Sequence, residues 1–254
     1  MSQQKRDTAL SRALSKVLRH QAPQLKLNMS SDGYVPVDAI LSLRDRNLNT
    51  YLEQDVFRVV ETNEKQRFKL TKKKVLYKNK KPLSYRFVEN DSEKDGDAEE
   101  VLCIRANQGH SIPNIRCEEL LTEIPPEELK DLTIMHGTNA EAWKQHISKQ
   151  GLSRMKRNHI HFASGLPGES GVISGMRKNC EIYIYVDGAS CSEDAITFYK
   201  SDNGVILSSG IDGMLPLRYI EKVVYAKSKK ILYANDDDET IQKKKAKTKE
   251  NLGS

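Results

Sequence analysis

Apolar residues near the start of the chain recur at helical spacing. Over residues 7–20, Ala9, Leu10, Ala13, Leu14, Val17 and Leu18 fall on one side of a wheel turned by about 100° per residue. This predicts a helix with a buried stripe. Arg19 then points away from the stripe, and His20 lies at its edge. Pro23 follows, so "VLRHQAP" reads as a helix end, where the negative end of the dipole favours basic residues. Asp32-Gly33 is a turn signal. Val37, Ala39, Ile40, Leu41 and Leu43 suggest a short second helix. "YLEQDVFRVVETN" is a third, with Leu52, Val56, Val59 and Val60 on one face. "QRFKLTKKKVLYK" alternates as a strand and opens a hairpin.

Three short helices followed by a hairpin form the pattern of a winged helix. That fold often binds nucleic acid but does not establish the function. Residues 89–100 are an acidic run without apolar content, expected to be a disordered loop within an insert of about 78–100. "VLCIRANQGHS" resumes as a strand, and the N-terminal lobe is set at 1–110. Residues 111–130 carry Pro113, Pro125 and Pro126 and read as a linker. A second lobe, 131–233, opens with "DLTIMHGT". "TNAEAWKQHISKQGL" is a helix that Gly151 ends, and "HIHFAS", "CEIYIYVD", "NGVILSSG" and "IEKVVYA" are strands. Residues 234–254 form a charged tail without a core pattern. The fold class is α+β.

Composition narrows the partners. Forty-one Lys and Arg against 35 Asp and Glu leave a net charge of +6, which suits a polyanion, although lysine-rich tails give the same total. Cysteines at 103, 117, 180 and 191 show no CxxC spacing, so free thiols are expected and no metal site. No apolar run approaches the ~20 residues that cross a bilayer. The first twenty residues share the basic, amphipathic character of a transit peptide, but Asp7 and the apolar stripe favour a core helix. An intracellular monomer is expected, nuclear and/or cytoplasmic, away from membranes.

Four segments carry candidate chemistry. In "EKQRFKL", Phe68 and Leu70 face inward, and Arg67 shares the other face with Lys65 and Lys69. This is either a solvated cationic face or an anion site, because guanidinium matches phosphate with two parallel hydrogen bonds. In "GLSRMKRNHIHFASG", alternation sets Arg157, His159 and His161 on one strand face without a carboxylate. "MHGT" offers His136, a close backbone approach at Gly137, and Thr138 as a helix cap. "GVISGMRKN" is a glycine-interrupted loop with Ser174, Gly175 and Arg177. Neither GxGxxG nor GxxxxGK[ST] occurs, which excludes those phosphate loops.

Eight segments in order, "LSRALSKVLRH", "DGYVPVDAIL", "KQRFKL", "IRANQGHSI", "HGT", "GLSRMKRNHIHFA", "GVISGMR" and "SDNGVILSSG", together resemble the NAD-dependent RNA 2′-phosphotransferases that finish tRNA splicing. The resemblance covers about residues 7–225, apart from the 75–100 insert. It implies an N-terminal winged-helix lobe that holds RNA and a C-terminal ADP-ribosyltransferase-like lobe that binds NAD. It implies a catalytic set of Arg19, His20, Arg67 and Arg157. His136, Gly137, Thr138, His159, Ser174, Gly175 and Arg177 fall to NAD. The implied reaction moves the internal 2′-phosphate of spliced tRNA to NAD in two steps, through an RNA-phospho-ADP-ribose. The products are 2′-hydroxyl RNA, ADP-ribose 1″,2″-cyclic phosphate and nicotinamide. Two other readings are ADP-ribosylation of nucleic-acid 5′-phosphates or of protein, and a catalytically silent RNA-binding protein. The intact tetrad favours the two-step transfer.

Overall fold

The computed structural model describes residues 2–44, 47–88, 97–113, 115–169, 172–173, 175–176 and 179–235. Two compact units emerge. One comprises Met1–Thr122 with Lys156–Asn158 and Ser201–Asn203, and the other comprises Glu123–Met155, His159–Lys200 and Gly204–Ser254.

In the first unit, α1 (Gln3–Lys16) buries Leu10 and Leu14, and a π-helical turn over Val17–Gln21 buries Val17 and Leu18. The turn closes through Ala22 N–H donating to Val17 O at 2.9 Å, five residues back. One extra residue per turn puts the side chains beyond Val17 out of phase with an ideal wheel. Ala9 is exposed and Ala13 half-buried, unlike the expected stripe. Over the first two turns Arg6 and Asp7 occupy the covered side instead, meeting Thr50 O and Arg58. Helix α2 is Val37–Leu41 and α3 is Glu53–Glu61. Val56 and Val59 are buried, whereas Leu52 is 68% exposed. Leu52 precedes the first turn of α3, and its N–H donates to Asp55 Oδ2 at 3.0 Å.

An antiparallel sheet closes this unit in the order β1-β4-β2-β3. Its strands are β1 (Val35–Pro36), β2 (Phe68–Tyr77), β3 (Tyr85–Phe87) and β4 (Glu99–Ala106). β2 and β4 pair from Phe68↔Ala106 to Val75↔Glu99. Glu99 and Glu100 therefore belong to a strand rather than to the acidic loop. Lys74 stands opposite Glu100 in the register, and Lys72 Nζ lies 3.3 Å from its carboxylate. Tyr85–Phe87, placed by sequence in the insert, is paired with β2. Residues 89–96 lie outside the described residues. The segment 111–130 is packed rather than free. It holds α4 (Cys117–Leu120), β5 (Thr122–Glu123) and α5 (Pro126–Leu129), with Ile112, Ile115, Leu121, Ile124 and Leu129 all buried. Its prolines punctuate short elements between apolar anchors.

The second unit has two four-stranded sheets and a two-stranded pair. One sheet runs β5-β10-β11-β8, with β8 (Ile160–Phe162), β10 (Tyr199–Lys200) and β11 (Ile206–Ser208). The other runs β14-β13-β9-β6, with β6 (Met135–Thr138), β9 (Ile182–Val186), β13 (Ile220–Tyr225) and β14 (Ile231–Ala234). β7 (Leu152–Ser153) pairs with β12 (Met214–Leu215). Ile134, Phe162, Ile184, Phe198, Tyr219 and Val223 form part of one core. Helix α6 (Ala140–Ala142) continues through a π-helical turn, Trp143–Ile147, into α7 (Ser148–Gln150). Gly151, at φ 87°, ends it, and a Cβ there would collide with Leu215 O. Helix α8 is Gly188–Glu193. Residues 236–254 lie outside the described residues. Among the described residues, no helix is long and apolar enough to cross a membrane, and Cys103, Cys180 and Cys191 are free thiols.

The contrast between Leu14 and Leu52 is measurable. Leu14→Ala leaves a cavity under α1 and should cost about 2–5 kcal/mol in urea unfolding. Leu52→Ala should stay within about 0.5 kcal/mol. Equal losses would contradict the packing of α1.

Candidate functional site: an arginine cluster and a histidine strand

The first unit contains all four of Arg19, His20, Arg67 and Arg157, each delivered by a different constraint. Arg19 and His20 lie in the π-helical turn. Arg67 follows a left-handed Gln66 (φ 42°) at the mouth of β2. Arg157 lies beyond the turn at Met155 (φ 56°). One segment, Asn107–Ile112, ties them together. Asn107 N–H donates to Arg67 O at 2.9 Å, and its side-chain amide donates to Gln66 O at 2.7 Å. Ser111 N–H donates to Arg19 O at 2.9 Å, and Ser111 Oγ lies 2.9 Å from His20 Nδ1. Asn158, next to Arg157, donates from its backbone to His110 O at 2.9 Å and from Nδ2 to Ile112 O at 3.0 Å.

Burial sets the electrostatics of this cluster. Arg19 Nε and Nη2 are buried with no hydrogen-bond partner. Gly109, at φ 89°, lies against this guanidinium, and a Cβ there would be 3.4 Å from Nε. Burial first, then the charges of Arg67 and Arg157, push the Arg19 guanidinium down to about 10. Burial also lowers Arg67, whose Nη1 donates to Asn63 Oδ1 at 3.2 Å. The His20 imidazole falls below its ordinary value through burial and through Arg19 and Arg157. A guanidinium with buried, unpartnered donors, held where it feels two other guanidiniums, is a donor set that an oxyanion satisfies.

The wheel places Arg19 opposite the stripe, at a solvent boundary. The structure instead half-buries it, because the π turn carries it inward. The expected strand face of Arg157, His159 and His161 is also divided. β8 begins only at Ile160, Lys156–Asn158 belong to the first unit, and His161 is buried. The bonds from Asn158 to the 110–112 segment pull that turn out of the strand. Lys69, grouped with Arg67 by sequence, pairs with Asp202 at 2.8 Å, as Arg105 does at 2.9 Å.

The second unit gathers histidines around β6 and β8. His136 Nδ1 lies 2.9 Å from His161 O, and His161 Nδ1 lies 3.0 Å from His159 O. A carbonyl only accepts, so both rings carry a proton on Nδ1. Burial first, then Arg154, pushes the His159 imidazole down to about 4. Its ring meets Tyr199 edge-on at 6.0 Å. A Cβ on Gly137 would collide with Cys180 Sγ and lie 2.9 Å from Met176 Sδ. Gly175, at φ 110°, leaves no room for a Cβ against Phe162 O at 2.7 Å. Thr138 does not cap α6. Asn139 does, its Oδ1 accepting from Ala142 N–H at 2.7 Å. Thr138 ends β6, paired with Ile182, so the cap position falls one residue later. Ser174 and Arg177 lie outside the described residues. No group of three or more metal-ligating side chains occurs among the described residues.

Asn63, Asn107, Ser111 and Asn158 were missed as site residues from sequence. Each acts through a main-chain or amide bond, and no local charge or periodicity marks it. The segment "NQGHSI" held the available signal, polar residues and a glycine following a strand.

The model of the RNA 2′-phosphotransferase, Tpt1/KptA family matches residues 5–210. A Bos taurus protein named tRNA 2′-phosphotransferase 1 is 42% identical over 224 residues, 87% of this chain and 76% of that one. The Saccharomyces cerevisiae tRNA 2′-phosphotransferase is 35% identical over 226 residues, 88% of this chain and 86% of that one. A Schizosaccharomyces pombe relative is 41% identical over 218 residues, and there the chain spans 50% of the relative's length.

An anion site built this way predicts a double signature for Arg19→Gln. Removing a buried charge should leave the ligand-free protein as stable as the wild type or more so. Inorganic phosphate should raise the melting temperature of the wild type and not of the variant. Equal protection of both proteins would remove Arg19 from the site.

Proposed function

The chain belongs to the RNA 2′-phosphotransferase family, and from that premise we propose that it transfers the internal 2′-phosphate of spliced tRNA to NAD. One observation supports this most: a buried Arg19 guanidinium lacks hydrogen-bond partners while feeling the charges of Arg67 and Arg157. A phosphate dianion supplies the missing acceptors and offsets that repulsion. The first unit is the winged-helix RNA lobe in this reading, and the second is the ADP-ribosyltransferase-like lobe.

The donor set of the second unit suits NAD. His136 presents a ring oriented by its Nδ1 bond to His161 O, Thr138 offers a hydroxyl, and Gly137 and Gly175 hold backbone where a side chain would not fit. Ribose hydroxyls and a carboxamide bond to such groups. His159, Ser174 and Arg177 complete the proposed set. When bound, NAD supplies an electrophilic anomeric carbon with nicotinamide as its leaving group.

The chain's own residues bind, orient and stabilise. Arg19, Arg67 and Arg157 hold the dianion so that one oxygen is free to act as nucleophile. The same guanidiniums hold the charge that builds on the phosphate oxygens as the RNA 2′-oxygen leaves phosphorus. Arginine keeps its proton throughout, so the clamp needs no reorganisation between steps. His20, lowered by burial and by two arginines, is neutral at pH 7 and accepts the proton of an attacking hydroxyl. Ser111 holds its Nδ1.

An RNA with a labelled internal 2′-phosphate tests the reading. With NAD, the wild type should move the label to a small ADP-ribose product, and without NAD it should not. Arg157→Ala should slow label release by roughly a hundredfold, the cost of one lost oxyanion donor. Release at the wild-type rate would refute its role, and NAD-independent release would refute the reaction.

A further inference from the structure

Arg19, His20 and Arg67 line a groove of about 830 Å³ that extends well beyond them within the first unit. One wall is the polar face of α1, formed by Gln4, Thr8, Ser11, Arg12, Ser15 and Lys16. Their spacing of three and four residues makes one helix stripe. The opposite wall is the 62–67 turn between α3 and β2, tied to α1 by Asn63 Nδ2 donating to Ser11 Oγ at 3.3 Å. From Gln4 to Lys16 the helix rises about 18 Å, and it then runs on into Arg19 and His20. Val59 is the one aliphatic residue in the lining, so the groove has no apolar floor for a protein helix.

Its charge is one-sided. Arg12, Lys16, Arg19, Lys65 and Arg67 face Asp7 and Glu64. The Asp7 carboxylate is already committed to Arg58, at 2.8 Å and 3.1 Å. Arg6 and Arg58 spend their charge on Asp55 and Asp7. Among the described residues Arg12 and Lys16 form no ion pair with a carboxylate. The stripe thus alternates available cations with hydroxyl groups and points at the arginine cluster.

We propose that this stripe carries the sugar–phosphate backbone of the substrate RNA on one side of the phosphorylated nucleotide. Arg12 and Lys16 meet backbone phosphates, and Thr8, Ser11 and Ser15 meet phosphate oxygens and ribose 2′-hydroxyls. The inference rests on the proposed function, because it takes the Arg19 end as the seat of the 2′-phosphate. Such a track reads charge and ribose rather than base edges, so it tolerates sequence changes flanking the junction.

The test compares two substrates of the full chain with NAD: a 2′-phosphorylated dinucleotide, and a long oligoribonucleotide carrying the same junction. In Arg12→Ala/Lys16→Ala, the kcat/KM preference for the long RNA should fall roughly ten- to thirtyfold at ~0.1 M salt, mainly through KM. The slope of log affinity against log salt for the long RNA should flatten by about 1.4. The charge-keeping Arg12→Lys/Lys16→Arg should retain most of both, which separates charge from folding. If the alanine variant does not fold, Lys16→Glu should lower the same preference. A preference and salt slope equal to the wild type in these neutral or reversed variants would overturn the track. A wild type inactive on both substrates would instead overturn the proposed function.

Discussion

Clustered, partly buried positive charge is the constraint around which the first unit is arranged. Arg19, Arg67 and Arg157 come from a helix end, a strand mouth and a distant turn, and the burial of Arg19 magnifies their repulsion. A folded chain holds such a cluster only where other contacts fix it. Those contacts are neutral. Asn107, Ser111 and Asn158 bind backbone or imidazole, and Asn63 binds Arg67 without cancelling its charge. Asp7 is paired with Arg58, and Asp202 with Lys69 and Arg105.

The histidines of the second unit are set by hydrogen bonds and burial instead. Backbone carbonyls fix the protons of His136 and His161 on Nδ1, and burial keeps His159 neutral. The Nδ1 bonds set the ring directions of His136 and His161 in advance, and His159 stays uncharged at neutral pH. Such a set suits hydroxyl and amide groups, whereas the arginine cluster suits a phosphate. The arginine cluster and the oriented histidines give the proposed reaction its parts: a clamp for the phosphate and directed ring contacts for a ribose.

Much of the fold was legible because hydrophobic periodicity survives wherever elements are regular. Leu10, Leu14, Val56 and Val59 were read as buried and are. The strands at 160–162, 182–186, 206–208 and 220–225 fall inside the segments read as strands. Reading failed where geometry departs from an ideal period. The π turn at Val17–Gln21 carried Arg19 inward, against the wheel. Arg157 was read onto a strand face, although two bonds from Asn158 hold its turn in the other unit. The linker reading of 111–130 gave weight to prolines over the apolar residues between them. The motif order pointed to the tetrad, but the amides that place it lay outside any pattern, because their bonds go to backbone carbonyls that sequence does not show.

Phosphorus NMR of a bound 2′-phosphorylated RNA tests the central claim most directly. A free phosphate monoester loses its second proton near pH ~6. Three clustered guanidiniums should stabilise the dianion and move that ionisation at least about one unit lower, as an opposite charge nearby does. The 2′-phosphate resonance should therefore titrate far less between about pH 6 and 7 when bound to the wild type than the free ester does. A bound phosphate that still titrates near its free value would contradict the claim that the arginine cluster is its seat.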